Sequence, residues 1–459
     1  MEEIKRGGRS RLSSKWIIAG LLFLLLLLFA ASFLTPFSPL LLLAGGRHVP
    51  PGAQLTSAPA MFGGDPLHTR VLRGEQQLTT ANVAHLKLAW HSPMTGGSIF
   101  SSPVVVAGRV YVGSFDGQLY AFDANGCQKT TCEPLWEMST SDRIFSSPAV
   151  VNGLVYVGSF DGRLYVFNAS GCGAEICAPL WTSSPLGAPI KSSPIVTNAI
   201  VYIGAENGQL YAFNAGGCGS KVCSPLWTTI PDSQHPSTTS PAAANGTVFI
   251  GTINLQNNQE AFYGIGSLYA FNEAGCSTAT CTPLWKGVTL DGVGFFASPT
   301  VFNGIVYDAA YDGQFYAFNA AGCGRPTCGP LWSTPPTLAI NESSPAYANG
   351  IVYNASWDHH IYAFNATGCH QSVCQPLWST TAVGSIFESS PTIANGVIYI
   401  GSDDESLYAF NAAGCSRSSC PPLWKSPSLG DAVFSSPTVA NDSLYVGSLD
   451  HRLYVFHLP

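Results

Sequence analysis

Charge is scarce in this chain: only 10% of its 459 residues are Asp, Glu, Lys or Arg, and beyond the first fifteen residues there is no basic cluster. With a formal net charge of −7, this argues against nucleic acid as a partner. Low charge with 12% aromatic residues is what stacked sheets buried on both faces, with few helices, require. There is also no cysteine left over. All fourteen fall into seven C-x4-C pairs, Cys127/Cys132, Cys172/Cys177, Cys218/Cys223, Cys276/Cys281, Cys323/Cys328, Cys369/Cys374 and Cys415/Cys420.

Each pair occupies the same place in a repeat. One unit reads Ser-Ser-Pro, a short apolar run, Asn-Gly, Val-Tyr-Val-Gly-Ser, a turn, then Leu-Tyr-Ala-Phe-Asn-Ala-x-Gly-Cys-x4-Cys-x-Pro-Leu-Trp. That is four short strands, with the second entered through turns such as Asn152-Gly153, whose positive φ suits strand twist, and the third through turns such as Asp116-Gly117. Trp136, Trp181, Trp227, Trp285, Trp332, Trp378 and Trp424 are spaced by 45, 46, 58, 47, 46 and 46 residues, a period that marks a β-propeller. The one long interval holds an Asn- and Gln-rich insertion around 255–263, which reads as a surface loop.

The ends of the chain predict how the ring closes. The last unit, Ser435 to Phe456, stops before any tryptophan strand, whereas Leu86-Lys87-Leu88-Ala89-Trp90 is a tryptophan strand with no unit before it. Joining the two completes a blade and removes an open edge. The expected fold is therefore all-β: one eight-bladed propeller over 78–459, four antiparallel strands per blade, as a monomer.

Ahead of it, 1–15 is a basic tail and Trp16 to Leu34 an uncharged, leucine-rich stretch long enough to span a bilayer. The positive-inside rule puts the tail in the cytoplasm and the propeller on the extracytoplasmic side of a cell membrane. A cleaved signal sequence ending near Ala30-Ala31-Ser32 is the alternative. The stretch 35–77 reads as linker and lead-in. An exported chain with evenly paired cysteines points to disulfides; zinc would need four ligands in one place, and here each pair sits on a separate blade. Each bridge would close a short loop between the third and fourth strands of its blade, with a contribution toward the low end of the roughly 2–4 kcal/mol usual for a disulfide.

With repeats to compare, a site is sought where a unit breaks its own consensus. The residue before each Ser-Ser-Pro equivalent should ring one mouth of the central channel: Phe100, Phe145, Lys191, Thr238, Phe296, Glu342, Glu388 and Phe434. Glu342 and Glu388 fall on neighbouring blades. The same sector departs elsewhere, with Asp308 and Asn354 in place of Val112 and the turns Trp357-Asp358-His359-His360 and Asp403-Asp404-Glu405 in place of Asp-Gly. Paired carboxylates can hold calcium or share a proton, or they can be polar residues at a solvated mouth. His359 and His360, adjacent on one chain, point to opposite faces and suit one ion poorly. Ser-Ser-Pro recurs without an accompanying His and Asp, so its hydroxyls are expected to satisfy backbone groups rather than act as nucleophiles.

Tyr120 to Gly126 followed by Leu135-Trp136, recurring in every unit, resembles the tryptophan-docking repeat of the pyrroloquinoline quinone (PQQ) repeat propellers. The lead-in Gly63-Gly64-Asp65, with Leu78 to Val83 and Leu88-Ala89-Trp90, is similar to the segment that opens quinoprotein dehydrogenases. The resemblance implies that Trp90, Trp136, Trp181, Trp227, Trp285, Trp332, Trp378 and Trp424 dock between blades. It also implies two functions to weigh. One is a PQQ- and calcium-dependent dehydrogenase of alcohols or sugars, with Lys191, Glu342 and Glu388 at the cofactor. The other is a scaffold of the type found in outer-membrane β-barrel assembly, binding a protein or small-ligand partner. The chain lacks the vicinal cysteine pair of the alcohol-oxidising members and any long insertion to bury a cofactor, and its disulfide loop replaces their Thr-Gly turn. The expectation is a membrane-anchored binding or scaffolding module without a catalytic set.

Overall fold

The computed structural model describes residues 60–72, 77–229, 239–254, 264–336, 342–384 and 388–459. The apolar stretch 16–34 and the insertion 255–263 lie outside the described residues, as does Thr238. Among the described residues no helix is long and apolar enough to cross a membrane.

Eight sheets form, one per repeat. In blade 1 the inner strand Val104–Val106 pairs with Arg109–Gly113, then Gln118–Asp123, then the outer strand Trp136–Ser139. The eighth blade closes the ring as the sequence predicts: Lys87–His91 pairs antiparallel with Leu453–His457 and stands outside Ser443–Gly447 and Thr438–Ala440.

The repeat's recurring letters are the contacts between blades. Trp90, Trp136, Trp181, Trp227, Trp285, Trp332 and Trp378 each lie against the loop glycine of the next blade: a Cβ on Gly126 would stand 2.6 Å from Trp90, and one on Gly171 2.7 Å from Trp136. These glycines sit near φ +80°, where a side chain is strained in any case. The tyrosine of Val-Tyr-Val reaches the same loop, Tyr156 Oη donating to the Ala215 carbonyl at 2.9 Å and Tyr445 Oη to that of Ala124 at 3.0 Å across the ring closure.

All seven cysteine pairs are disulfides. The bridged loops also reach beyond their own blades. The first cysteine of a pair faces solvent, Cys415 less than the rest. The second does not: Cys132, Cys177, Cys223, Cys281, Cys328, Cys374 and Cys420 are only 2–4% exposed and belong to the apolar clusters between blades. Cys132 packs with Trp90, Cys177 with Trp136 and Cys374 with Trp332, each the tryptophan of the preceding blade.

The backbone explains this burial. Ile176–Cys177 adds a short parallel strand to the outer edge of the preceding blade, opposite Glu137 and Met138. Cys223, Cys281, Cys328 and Cys420 lie opposite Ser183, Thr229, Gly287 and Thr380 in the same way. Cys132 N–H donates to the His91 carbonyl at 3.0 Å and Cys374 N–H to that of Ser333 at 2.8 Å. A sequence repeat shows which cysteines pair, but not that the loop reaches across to its neighbour. Outer edges that would be open to pairing are thereby covered.

Candidate functional site at the channel

The channel wall is built from the second serine of each Ser-Ser-Pro. Ser102 N–H donates to Ser147 Oγ, Ser147 N–H to Ser193 Oγ, and so on through Ser240, Ser298, Ser344, Ser390 and Ser436, whose N–H returns to Ser102 Oγ at 3.0 Å. The first residue of the motif turns its hydroxyl outward within the blade, Ser101 Oγ accepting from Gly113 N–H and Ser146 Oγ from Gly158 N–H. Both serines therefore satisfy backbone donors, which accounts for their recurrence without a catalytic role.

One residue earlier, the symmetry ends. Phe100, Phe145, Lys191, Phe296, Glu342, Glu388 and Phe434 all line one cavity of about 80 Å³ together with the serine ring. Phe100 stacks on Phe115 and Phe145, with centroids 4.4 and 5.2 Å away, so one arc of the mouth is aromatic. On the other arc burial, and for Glu342 the neighbouring Glu388, push the acids up: Glu342 to about 8 and Glu388 to about 7, with Lys191 opposing both. Both carboxyls are thereby shifted toward the protonated form, since burial and a nearby like charge disfavour the ionised one.

Two partners were not read from the sequence. Glu206, in the turn after the second strand of blade 3, takes the Lys191 ammonium at 2.8 Å. It stands where blades 1 and 2 have Phe115 and Phe160, so an alignment of the turns carries the signal. Phe62 also lines the cavity. It belongs to the lead-in 60–72, which runs across the inner strands and accepts hydrogen bonds from Val150, Ala243, Val301, Tyr347 and Ile393 N–H. Nothing in the repeat locates this segment, because it has no counterpart in any unit. The lead-in thus forms part of the channel itself.

The other departures do not join the mouth. Asp308 is fully buried and faces Gly251 of the preceding blade, with Oδ1 accepting from Ala309 N–H at 2.9 Å and burial holding its carboxyl well above the usual range. Asn354 is buried likewise one blade on. His359 is exposed at its turn, while His360 Nδ1 lies 2.7 Å from the Thr380 carbonyl. Among the described residues no group of three or more His, Cys, Asp or Glu converges as metal ligands do.

The sequence matches the family described as outer membrane protein assembly factor BamB, a PQQ-repeat family, over residues 76–172, 128–275 and 324–458. The chain belongs to this family. Among solved structures it is similar to BamB from Moraxella catarrhalis, at 17% identity and a TM-score of 0.60 over 82% of this chain and 98% of that one. It is equally similar to quinohemoprotein alcohol dehydrogenase from Comamonas testosteroni, at 15% and 0.61 over 86% and 80%. A europium-containing methanol dehydrogenase gives 14% and 0.62 over 87% and 98%. No curated protein sequence matches. At such identities the structural likeness is one of fold, and fold is shared by assembly factor and dehydrogenase alike.

Whether the mouth fits a quinone is a question of room. A cofactor pocket usually encloses at least about 300 Å³; the serine ring, the phenylalanines and Phe62 leave about 80 Å³, enough for two or three waters at roughly 30 Å³ each. The space between the described residues of the mouth is thus several-fold smaller than such a pocket.

Proposed function

We propose that the chain is a membrane-tethered propeller on the extracytoplasmic side that works as a binding or scaffolding module. The observation that carries this reading is the filled channel mouth, which offers a small ligand little volume. The rim supports it. Leu135, Leu226, Leu284, Leu331 and Leu377, five of the seven leucines of the Pro-Leu-Trp motif, are each at least half exposed, and covering them would remove apolar surface from water. Because the disulfide loops already occupy seven of the eight blade edges, a partner would engage these side chains rather than add a strand.

A photo-crosslinking residue placed in living cells at Leu226, Leu284 or Leu331 should give discrete protein adducts, with none from the exposed position Ser170. Equal, diffuse labelling at all four would remove the support. The dehydrogenase reading has the acidic pair in its favour. Titration of PQQ with calcium into the protein tests it: a saturable micromolar signal lost in Glu342→Ala, followed by turnover of an alcohol or sugar, would sink the scaffold reading.

A further inference from the structure

On the far side of Phe62 lies a second cavity, of about 470 Å³, between the lead-in and the inner strands of blades 8 and 1. Its wall includes Arg70, whose side chain is 2% exposed and whose Nε and Nη2 have no hydrogen-bond partner. Those two nitrogens form the side-on edge of the guanidinium, the fork that meets both oxygens of a carboxylate. The plane of Arg70 is covered by the Phe62 ring, 4.2 Å away, which leaves the edge as its polar outlet. A buried cation left unpaired costs several kcal/mol; burial alone draws Arg70 down to about 9, with no acid offsetting it. Asp65, the carboxylate that also borders the cavity, is taken up by Leu67 N–H, Thr69 N–H and Thr69 Oγ.

The lead-in does not bond every blade: among the described residues, blades 1, 3 and 8 are passed over, and the cavity lies beside two of these, 8 and 1. The segment takes up the mid-strand amides of blades 2, 4, 5, 6 and 7, but reaches neither Val105 nor Val439 of blades 1 and 8. Val105 pairs with Val110 and Val439 with Leu444 in the register that Val150 has with Val155. Since Val150 N–H points into the channel, those of Val105 and Val439 do so too. His68 and Arg70 are held at φ +55° and +57°, a strained left-handed backbone for side-chain-bearing residues, in a segment whose outcome is to place the guanidinium here.

We infer that this cavity binds the carboxylate of a small organic acid, with Arg70 as a bidentate clamp, the Val105 and Val439 amides as further donors, and Met61, Phe62 and Leu72 receiving an apolar tail. The site lies on the opposite side of Phe62 from the Glu342/Glu388 mouth and stands whether or not the scaffold reading holds.

The test uses the full chain in mild detergent, titrated calorimetrically with benzoate, succinate and inorganic phosphate. Wild type should saturate with a carboxylate and gain melting temperature. Arg70→Lys keeps the charge but not the fork and should lose at least tenfold in affinity. Phosphate binding as tightly as either acid would overturn the carboxylate assignment. No saturation by any probe, the result for a cavity holding only water, would overturn the site, as would equal binding by Arg70→Lys. If that variant does not fold, the three wild-type titrations still decide between these outcomes.

Discussion

The rim of this propeller repeats and its axis does not. At seven of the eight blade junctions a tryptophan rests on a left-handed glycine and a disulfide loop covers the outer edge. Around the channel the same blades present Phe, Lys or Glu at one position, and a segment from outside the repeat threads among them. Contacts between neighbouring blades see the same environment each time, so one solution serves all. The axis is met by eight blades at once, so a single asymmetric lead-in makes every blade's surroundings different.

The strongest break of the repeat is Gly171→Ala. The new Cβ would meet the Trp136 ring at 2.7 Å, at φ +81°, and left-handed strain together with overpacking of this kind costs about 2–4 kcal/mol. Urea denaturation should show it, whereas Gly173→Ala, at φ +78° but with nothing within 4 Å, should cost about 1 kcal/mol. If the two cost the same, the tryptophan contact is not what the glycine serves.

The eighth junction sharpens the comparison because the repeat's device is missing there. Trp424 meets Phe456 instead, at 5.3 Å, and Leu78, Val83 and Leu86 pack into the same cluster, with Asn395 Nδ2 bonded to the Leu78 carbonyl at 3.2 Å. Leu78→Ala should cost about 2–3 kcal/mol and should raise hydrogen exchange first in Lys87–His91 and Leu453–His457. Exchange rising uniformly in all blades would mean that the ring opens elsewhere.

On the axis, the acidic pair predicts a pH dependence. Glu342 and Glu388 bind protons more tightly folded than unfolded, so their contribution is greatest below the model-peptide value of 4.5 and is lost as pH rises through about 7 and 8. The wild-type melting temperature should therefore fall between pH 5 and 8.5, by an amount equivalent to about 1–3 kcal/mol. Glu342→Gln with Glu388→Gln should flatten that slope. A slope unchanged in the double variant would assign the dependence to another buried acid, of which Asp308 is the first to test.

The same division governs what the sequence made legible. Blade number, the closing strand at Trp90, the disulfides and the ring positions of Lys191, Glu342 and Glu388 follow from aligning units, because a repeat is its own control. Phe62, His68 and Arg70 did not follow, since the lead-in is matched to nothing and its hydrogen bonds go to backbone amides that carry no sequence signal. Glu206 lay between these cases: the turn alignment exposes it, but its pairing with Lys191 depends on how far two loops reach. The burial of the second cysteines, Cys177 among them, stayed hidden for the same reason, since it depends on the reach of one blade's loop to the next.

The smallest expected effect returns to the rim. The Cys172–Cys177 bridge closes a loop of only five residues' separation, and a short loop has little unfolded-state entropy to lose, so Cys172→Ser with Cys177→Ser should cost at most about 2 kcal/mol. The loop's other task is to lay Ile176–Cys177 along Glu137 and Met138, and that pairing needs the loop's shape more than its covalent bond. The double variant should therefore stay monomeric, as judged by light scattering, while melting slightly earlier. Aggregation without much loss of stability would reverse the ranking and make protection of the edge the main office of the disulfide.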